Sequence, residues 1–170
     1  MRLALAWGLV AALAGACAAP STVSAGSSPS TGAGDPPATS PAPTLPTRLP
    51  VSAIHAALGC PAGMGVSVAR RVAAPELTPA SLVVAARCAS GAGSPPSGVY
   101  LLEVANGSLR LAATLVASHQ QVQVTSVAVR GRTVTVRGST YSGPGVPRCC
   151  PDVPYLRSWT VTGGRPMAIR

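Results

Sequence analysis

From residue 51 onward, apolar and polar positions alternate with a period of two over most of the chain, which predicts strands rather than helices. Residues 65–72 (GVSVARRV) set Val66, Val68 and Arg70 against Ser67, Ala69 and Arg71. Residues 81–88 (SLVVAARC) form a denser apolar run, as expected of a strand covered on both faces. Pro75 and Pro79 bracket the loop between them. Residues 99–105 pair with 108–116 across Asn106-Gly107, the two-residue turn in which both positions tolerate positive φ. Asn106-Gly107-Ser108 also fits an N-glycosylation pattern, but the turn explains it better. A second hairpin joins 122–130 to 132–137 around Gly131, with Val134 and Val136 on one face and Thr133, Thr135 and Arg137 on the other. Strands over 155–162 and 166–170 complete the set.

One segment breaks the period. Residues 52–58 (SAIHAAL) predict two turns of helix, with Ser52 as N-cap, Gly59 as terminator, and Ile54 and Leu58 on one face. Residues 90–98 are a Gly/Ser/Pro loop, and 142–154 (SGPGVPRCCPDVP) are too proline-rich for a regular central strand. Residues 51–170 therefore form a single, mainly β domain with one short N-terminal helix. A β-sandwich, a half-open barrel and an antiparallel sheet backed by the helix all satisfy this pattern.

The region before residue 51 has a different character. Arg2, an uncharged apolar run over 3–13 and the small residues Ala14-Gly15-Ala16 lay out a signal peptide over 1–16, too short for a spanning helix of about 20 residues. The working protein is then extracytoplasmic, secreted or held on the outer face of the cell membrane. Ala14-Gly15-Ala16-Cys17 resembles a bacterial lipobox and makes Cys17 the lipidation candidate, the membrane then being a partner through acyl chains. Ala14 stands where a large aliphatic residue is usual, and small-x-small cleavage with plain secretion remains the alternative. Residues 17–50 are almost entirely Ala, Ser, Thr, Gly and Pro, a disordered tether that spans roughly 30 Å as a flexible coil.

Composition adds two constraints. Phenylalanine is absent, and Trp159 is the only tryptophan beyond the signal, so the core rests on small aliphatic side chains. All thirteen basic residues are arginine against four acids. That excess favours an anionic envelope component, a phospholipid headgroup or phosphate-bearing polymer, while export and the lack of interleaved aromatics argue against nucleic acid. Arg130, Arg132, Arg137 and Arg148 are the candidate anion-binding residues, with Tyr141 and Trp159 near the last; for Trp159, burial in the core is the stronger reading.

Five cysteines leave an odd one, which lipidation of Cys17 removes. Cys60, Cys88, Cys149 and Cys150 then read as two disulfides of an exported domain. Adjacent residues of an extended segment point to opposite sides, so Cys149 and Cys150 would each seek a separate partner, Cys60 or Cys88. The competing arrangement, Cys60–Cys88 with a vicinal Cys149–Cys150 bond, points to a redox or conformational switch. No metal site is expected, because no C-x-x-C pair occurs and neither His55 nor His119 has ligand spacing to a cysteine.

Catalytic patterns are thin. Residues 65–69 fall one residue short of G-x-S-x-G and read as a strand interior. Glu76, Glu103 and Asp152 are the only acids of the domain, with no evident carboxylate pairing. A non-enzymatic binding or structural module without a cofactor is the expectation. The alternative is a secreted hydrolase or a thiol-redox protein using Cys149 and Cys150.

The run Ser94-Pro95-Pro96-Ser97-Gly98-Val99-Tyr100, then Asn106-Gly107 and Ala113-Thr114-Leu115, resembles the middle of actinobacterial envelope proteins. Pro147-Arg148-Cys149-Cys150-Pro151-Asp152, followed by Trp159, is similar to a Cys-Cys-Pro segment near their C-termini. These elements, mainly within residues 94–160, resemble the LppP/LprE lipoproteins. The resemblance implies an exported lipoprotein and brings no catalytic residue with it.

Overall fold

A computed structural model describes residues 44–89 and 95–169. The expected signal peptide, Cys17 and most of the tether lie outside the described residues, as does part of the 90–98 loop. The elements are α1 (Val51–Leu58), β1 (Val66–Ala74), β2 (Ser81–Cys88), β3 (Gly98–Ala105), β4 (Ser108–Val116), β5 (Gln123–Arg130), β6 (Thr133–Thr140), β7 (Val153–Thr162) and β8 (Arg165–Ile169). They form two four-stranded antiparallel sheets, β1-β2-β3-β4 and β5-β6-β7-β8, each in chain order.

The alternation seen along the chain becomes a layered packing. Val83, Ala85, Val99 and Leu101 of the first sheet meet Val134, Val136, Trp159 and Val161 of the second. On the other face of the first sheet, Leu82, Val84, Ala86, Tyr100 and Leu102 pack against Ile54 and Leu58 of α1. A sandwich and a helix-backed sheet, alternatives from the sequence, therefore coexist. Strand β2 is buried on both faces, as its dense apolar run predicts. Each such Val or Leu contributes roughly 1.5–3 kcal/mol on burial.

The helix begins earlier than expected. Pro50, not Ser52, occupies the N-cap, and the Ile54 N–H donates to the Pro50 carbonyl at 3.1 Å. Proline suits a helix start because its missing N–H would lack a helical partner there anyway. Gly59 ends the helix as expected, in the left-handed region at φ 67°. Its N–H reaches Ala56 O and the Cys60 N–H reaches His55 O, the paired closure of a Schellman motif. Leu49 packs into the helix-side cluster and Thr47 O accepts from Arg71 Nη2 at 2.7 Å, so ordered packing begins before Val51.

Pro154, at the end of the 142–154 stretch that is too proline-rich for a regular central strand, belongs to β7 and pairs with Ser139 of β6. It is tolerated because β8 pairs with β7 only over residues 158–162, leaving the other side of Pro154 without a neighbouring strand. The β1–β2 connection and the tight β3–β4, β5–β6 and β7–β8 turns share one end of the sandwich, while the 89–97, 117–122 and 141–152 connections share the other.

Candidate functional site

The 141–152 connection is fastened at its base by one aspartate. The Asp152 N–H donates to Thr140 O at 3.0 Å, and its carboxylate accepts the Ser142 N–H at 2.9 Å and the Ser142 hydroxyl at 2.6 Å. These bonds, the hydroxyl foremost, hold the Asp152 carboxyl below the usual range. Asp152 is thus a turn residue of this connection.

Further along, the Tyr141 hydroxyl donates to Arg148 O at 2.6 Å and accepts from Gln123 Nε2 at 2.8 Å. The same Gln123 amide reaches Arg148 O at 3.2 Å. Gln123 stands close to β6 because Gly138, paired with the adjacent Val124, has no Cβ to run into the Gln123 carbonyl. Two short turns shape the rest, Val146 N–H to Gly143 O at 3.2 Å and Cys150 N–H to Pro147 O at 2.9 Å.

The crossing connection is brought alongside. Ser97 N–H donates to Val122 O at 2.9 Å, and Thr140 Oγ1 donates to Gln120 O at 3.3 Å. Between these segments lies a groove of about 420 Å³ lined by Pro96, Gln121, Tyr141, Gly143, Pro144, Val146 and Arg148. Its walls combine Pro96, Pro144 and Val146 with an amide, a phenol and a basic residue, apolar and polar surface in near-equal share, a composition that can orient a ligand by a few polar groups.

The cysteine pairing differs from the favoured expectation. Cys60 bonds to Cys88 with Cα atoms 5.6 Å apart, and the sulfurs of Cys149 and Cys150 face each other. The expected opposition of adjacent side chains holds for an extended chain, but 147–150 is a closed turn and brings both sulfurs to one side. Cys60 follows the helix directly, and the Ala89 N–H to Gly65 O bond aligns the following segment beside Cys88.

The four candidate arginines are not brought together. Arg130 and Arg132 flank the β5–β6 turn at the tight-turn end, where Arg132 Nε donates to Val161 O at 3.3 Å and Nη2 bonds Thr162 Oγ1. Arg137 lies within β6, opposite Leu156. Only Arg148 lines the groove. Strand length carries the hairpin pair, Arg130 and Arg132, to the end of the sandwich away from Arg148. Trp159 is 7% exposed and belongs to the inter-sheet core, as the stronger reading held.

Two further titratable groups have local partners. His55 bonds Met64 O at 2.9 Å, and Glu103, 8% exposed, accepts from Arg110 Nε at 2.7 Å. Ser67 lies inside β1, so the near-match to G-x-S-x-G is a strand interior. Among the described residues, no three His, Cys, Asp or Glu side chains cluster as a metal site would require. Pro96, Gln121 and Gln123 were missed from sequence, since loop proline and glutamine carry no chemical motif.

No protein-family model, curated protein or solved structure matches the chain.

Proposed function

We propose that this chain is an exported, lipid-anchored cell-envelope module that binds an anionic envelope component without catalysis. Arg148 at the groove carries the reading: a basic residue lines the same groove as the apolar Pro96, Pro144 and Val146. A phosphodiester attached to an apolar or glycerol body matches that combination. The engagement of Asp152 with Ser142, Glu103 with Arg110 and His55 with Met64 favours binding over hydrolysis, since these groups serve the fold. The layout of residues 1–17 and the likeness to the LppP/LprE lipoproteins support export with Cys17 as the acylated residue.

Two measurements test this. Intact mass of the native chain should show acylation that is lost in Cys17→Ala; an unmodified Cys17 overturns the anchor. The full Cys17→Ala chain should bind phosphatidylglycerol vesicles or a soluble glycerol-phosphate oligomer, and bind either more weakly as salt rises. The two probes separate a lipid headgroup from a polymer. Binding that is flat in salt, or unchanged by Arg148→Ala, overturns the assignment of the groove.

A further inference from the structure

We propose that Cys149–Cys150 is a thiol–disulfide exchange site whose oxidation state sets the shape of the adjacent groove. Both residues are exposed, so a small thiol reaches them without unfolding the domain. Cys60 and Cys88 are half-buried and pack against the helix-side cluster, which shields their bond. The flanking Arg148 supplies positive charge that favours an attacking or departing thiolate.

The step is a two-electron exchange. A thiolate of low molecular weight attacks one sulfur, the Cys149–Cys150 bond breaks, and a mixed disulfide forms while the other cysteine leaves as thiolate. A second thiolate attacks the external sulfur of that mixed disulfide. The products are an oxidised small-molecule disulfide and a protein dithiol, with two protons taken from solvent. Oxidation by a small-molecule disulfide runs the same steps backwards.

The bond matters to the groove because Arg148 precedes it. The 147–150 turn presents Arg148 O to the Tyr141 hydroxyl and the Gln123 amide, and Tyr141 and Arg148 both line the groove. Once reduced, the two side chains are free to separate, and the peptide joining them loses the ring that restrains it beside the turn. The Arg148 carbonyl then leaves its clamp. Binding in the groove and oxidation of the pair are therefore linked, each biasing the other by the same factor. The purpose assigned to the switch rests on the groove being the binding site proposed above, but the chemistry of the switch does not.

The test needs no ligand, so its failure is separate from that of the binding assignment. The full purified chain is equilibrated with glutathione and glutathione disulfide mixtures of decreasing potential. Free thiols are alkylated and located by peptide mass, and amide spectra are recorded in parallel. Two alkyl groups are expected on Cys149 and Cys150 while Cys60 and Cys88 stay blocked. The amides of Gln123, Tyr141, Gly143 and Val146 should shift with the same midpoint, and those of Val83 and Leu101 should not. Cys149→Ser/Cys150→Ser should show the reduced positions under every condition. Alkylation of Cys149 and Cys150 before any reductant overturns the proposal. So does their persistence as a disulfide throughout, opening only together with Cys60–Cys88, or reduction that leaves the groove amides unmoved.

Discussion

Gly164 sits directly against the carboxylate of Glu103: a Cβ at position 164 would stand 2.6 Å from Oε2. The contact joins the β7–β8 turn of one sheet to β3 of the other. Glu103 cannot easily retreat, because it is buried and held by Arg110. Gly163 in the same turn has positive φ as well, but its Cβ would meet nothing within 4 Å. Gly163→Ala should therefore cost only the conformational penalty of about 1–2 kcal/mol. Gly164→Ala should cost that plus about 1–3 kcal/mol for overpacking. Urea denaturation of the two variants checks this, and equal losses would show that Glu103 yields freely.

The two cysteine pairs should differ widely in their effect on stability. Cys60 and Cys88 close a loop with a sequence separation of 28, which in the chain-entropy picture stabilises by about 3–4 kcal/mol. The vicinal pair closes almost no chain and should contribute only about 1 kcal/mol. Cys60→Ala/Cys88→Ala should thus lower the urea midpoint far more than Cys149→Ser/Cys150→Ser. A larger loss from the vicinal pair would mean that the 141–152 connection is integral to the core.

Tyr100 is fully buried beneath the helix, and its hydroxyl finds no hydrogen-bond partner. Tyr100→Phe should be neutral or stabilising by up to about 1 kcal/mol, since it removes a polar group desolvated without compensation. Burial pushes the Tyr100 phenol up to about 12. The unfolded chain releases this proton near pH 10, so between those values the folded state binds more protons and stability falls as pH rises. Urea midpoints at pH 9 and pH 11 should drop more in the parent than in Tyr100→Phe. Parallel decline in both proteins would show that the phenol ionises at its ordinary value in the fold.

Where local chemistry decides the structure, these features were legible in the sequence. Asn106 and Gly107 both adopt positive φ, so the hairpin register followed from two residues. The unbroken apolar run of β2 announced its two covered faces, and the scarcity of aromatics placed Trp159 inside. Cysteine pairing was not legible, because it depends on the Pro147–Cys150 turn overriding the side-chain opposition of an extended chain. Nor was the separation of Arg132 from Arg148, which arises from the length of β6 carrying the chain across the sandwich. The groove itself is assembled by Pro96 and Gln121 from two connections remote in sequence.

Asp152 provides a way to loosen that groove with acid. Its two bonds from Ser142 favour the carboxylate and depress its pKa. A depressed carboxyl contributes its stabilisation fully above the ordinary Asp value of about 3.9 and loses it as pH falls through the lower folded value. The Ser142 amide should therefore titrate with a midpoint below that ordinary value, and Asp152→Asn should abolish the transition. Because the group is exposed, the loss should be confined to the 141–152 connection, with faster exchange of the Ser142 and Cys150 amides and little change in the urea midpoint. A Ser142 midpoint at or above the ordinary Asp value would mean that the clamp does not persist in solution, and the groove would then lack the fixed base that holds Arg148 in place.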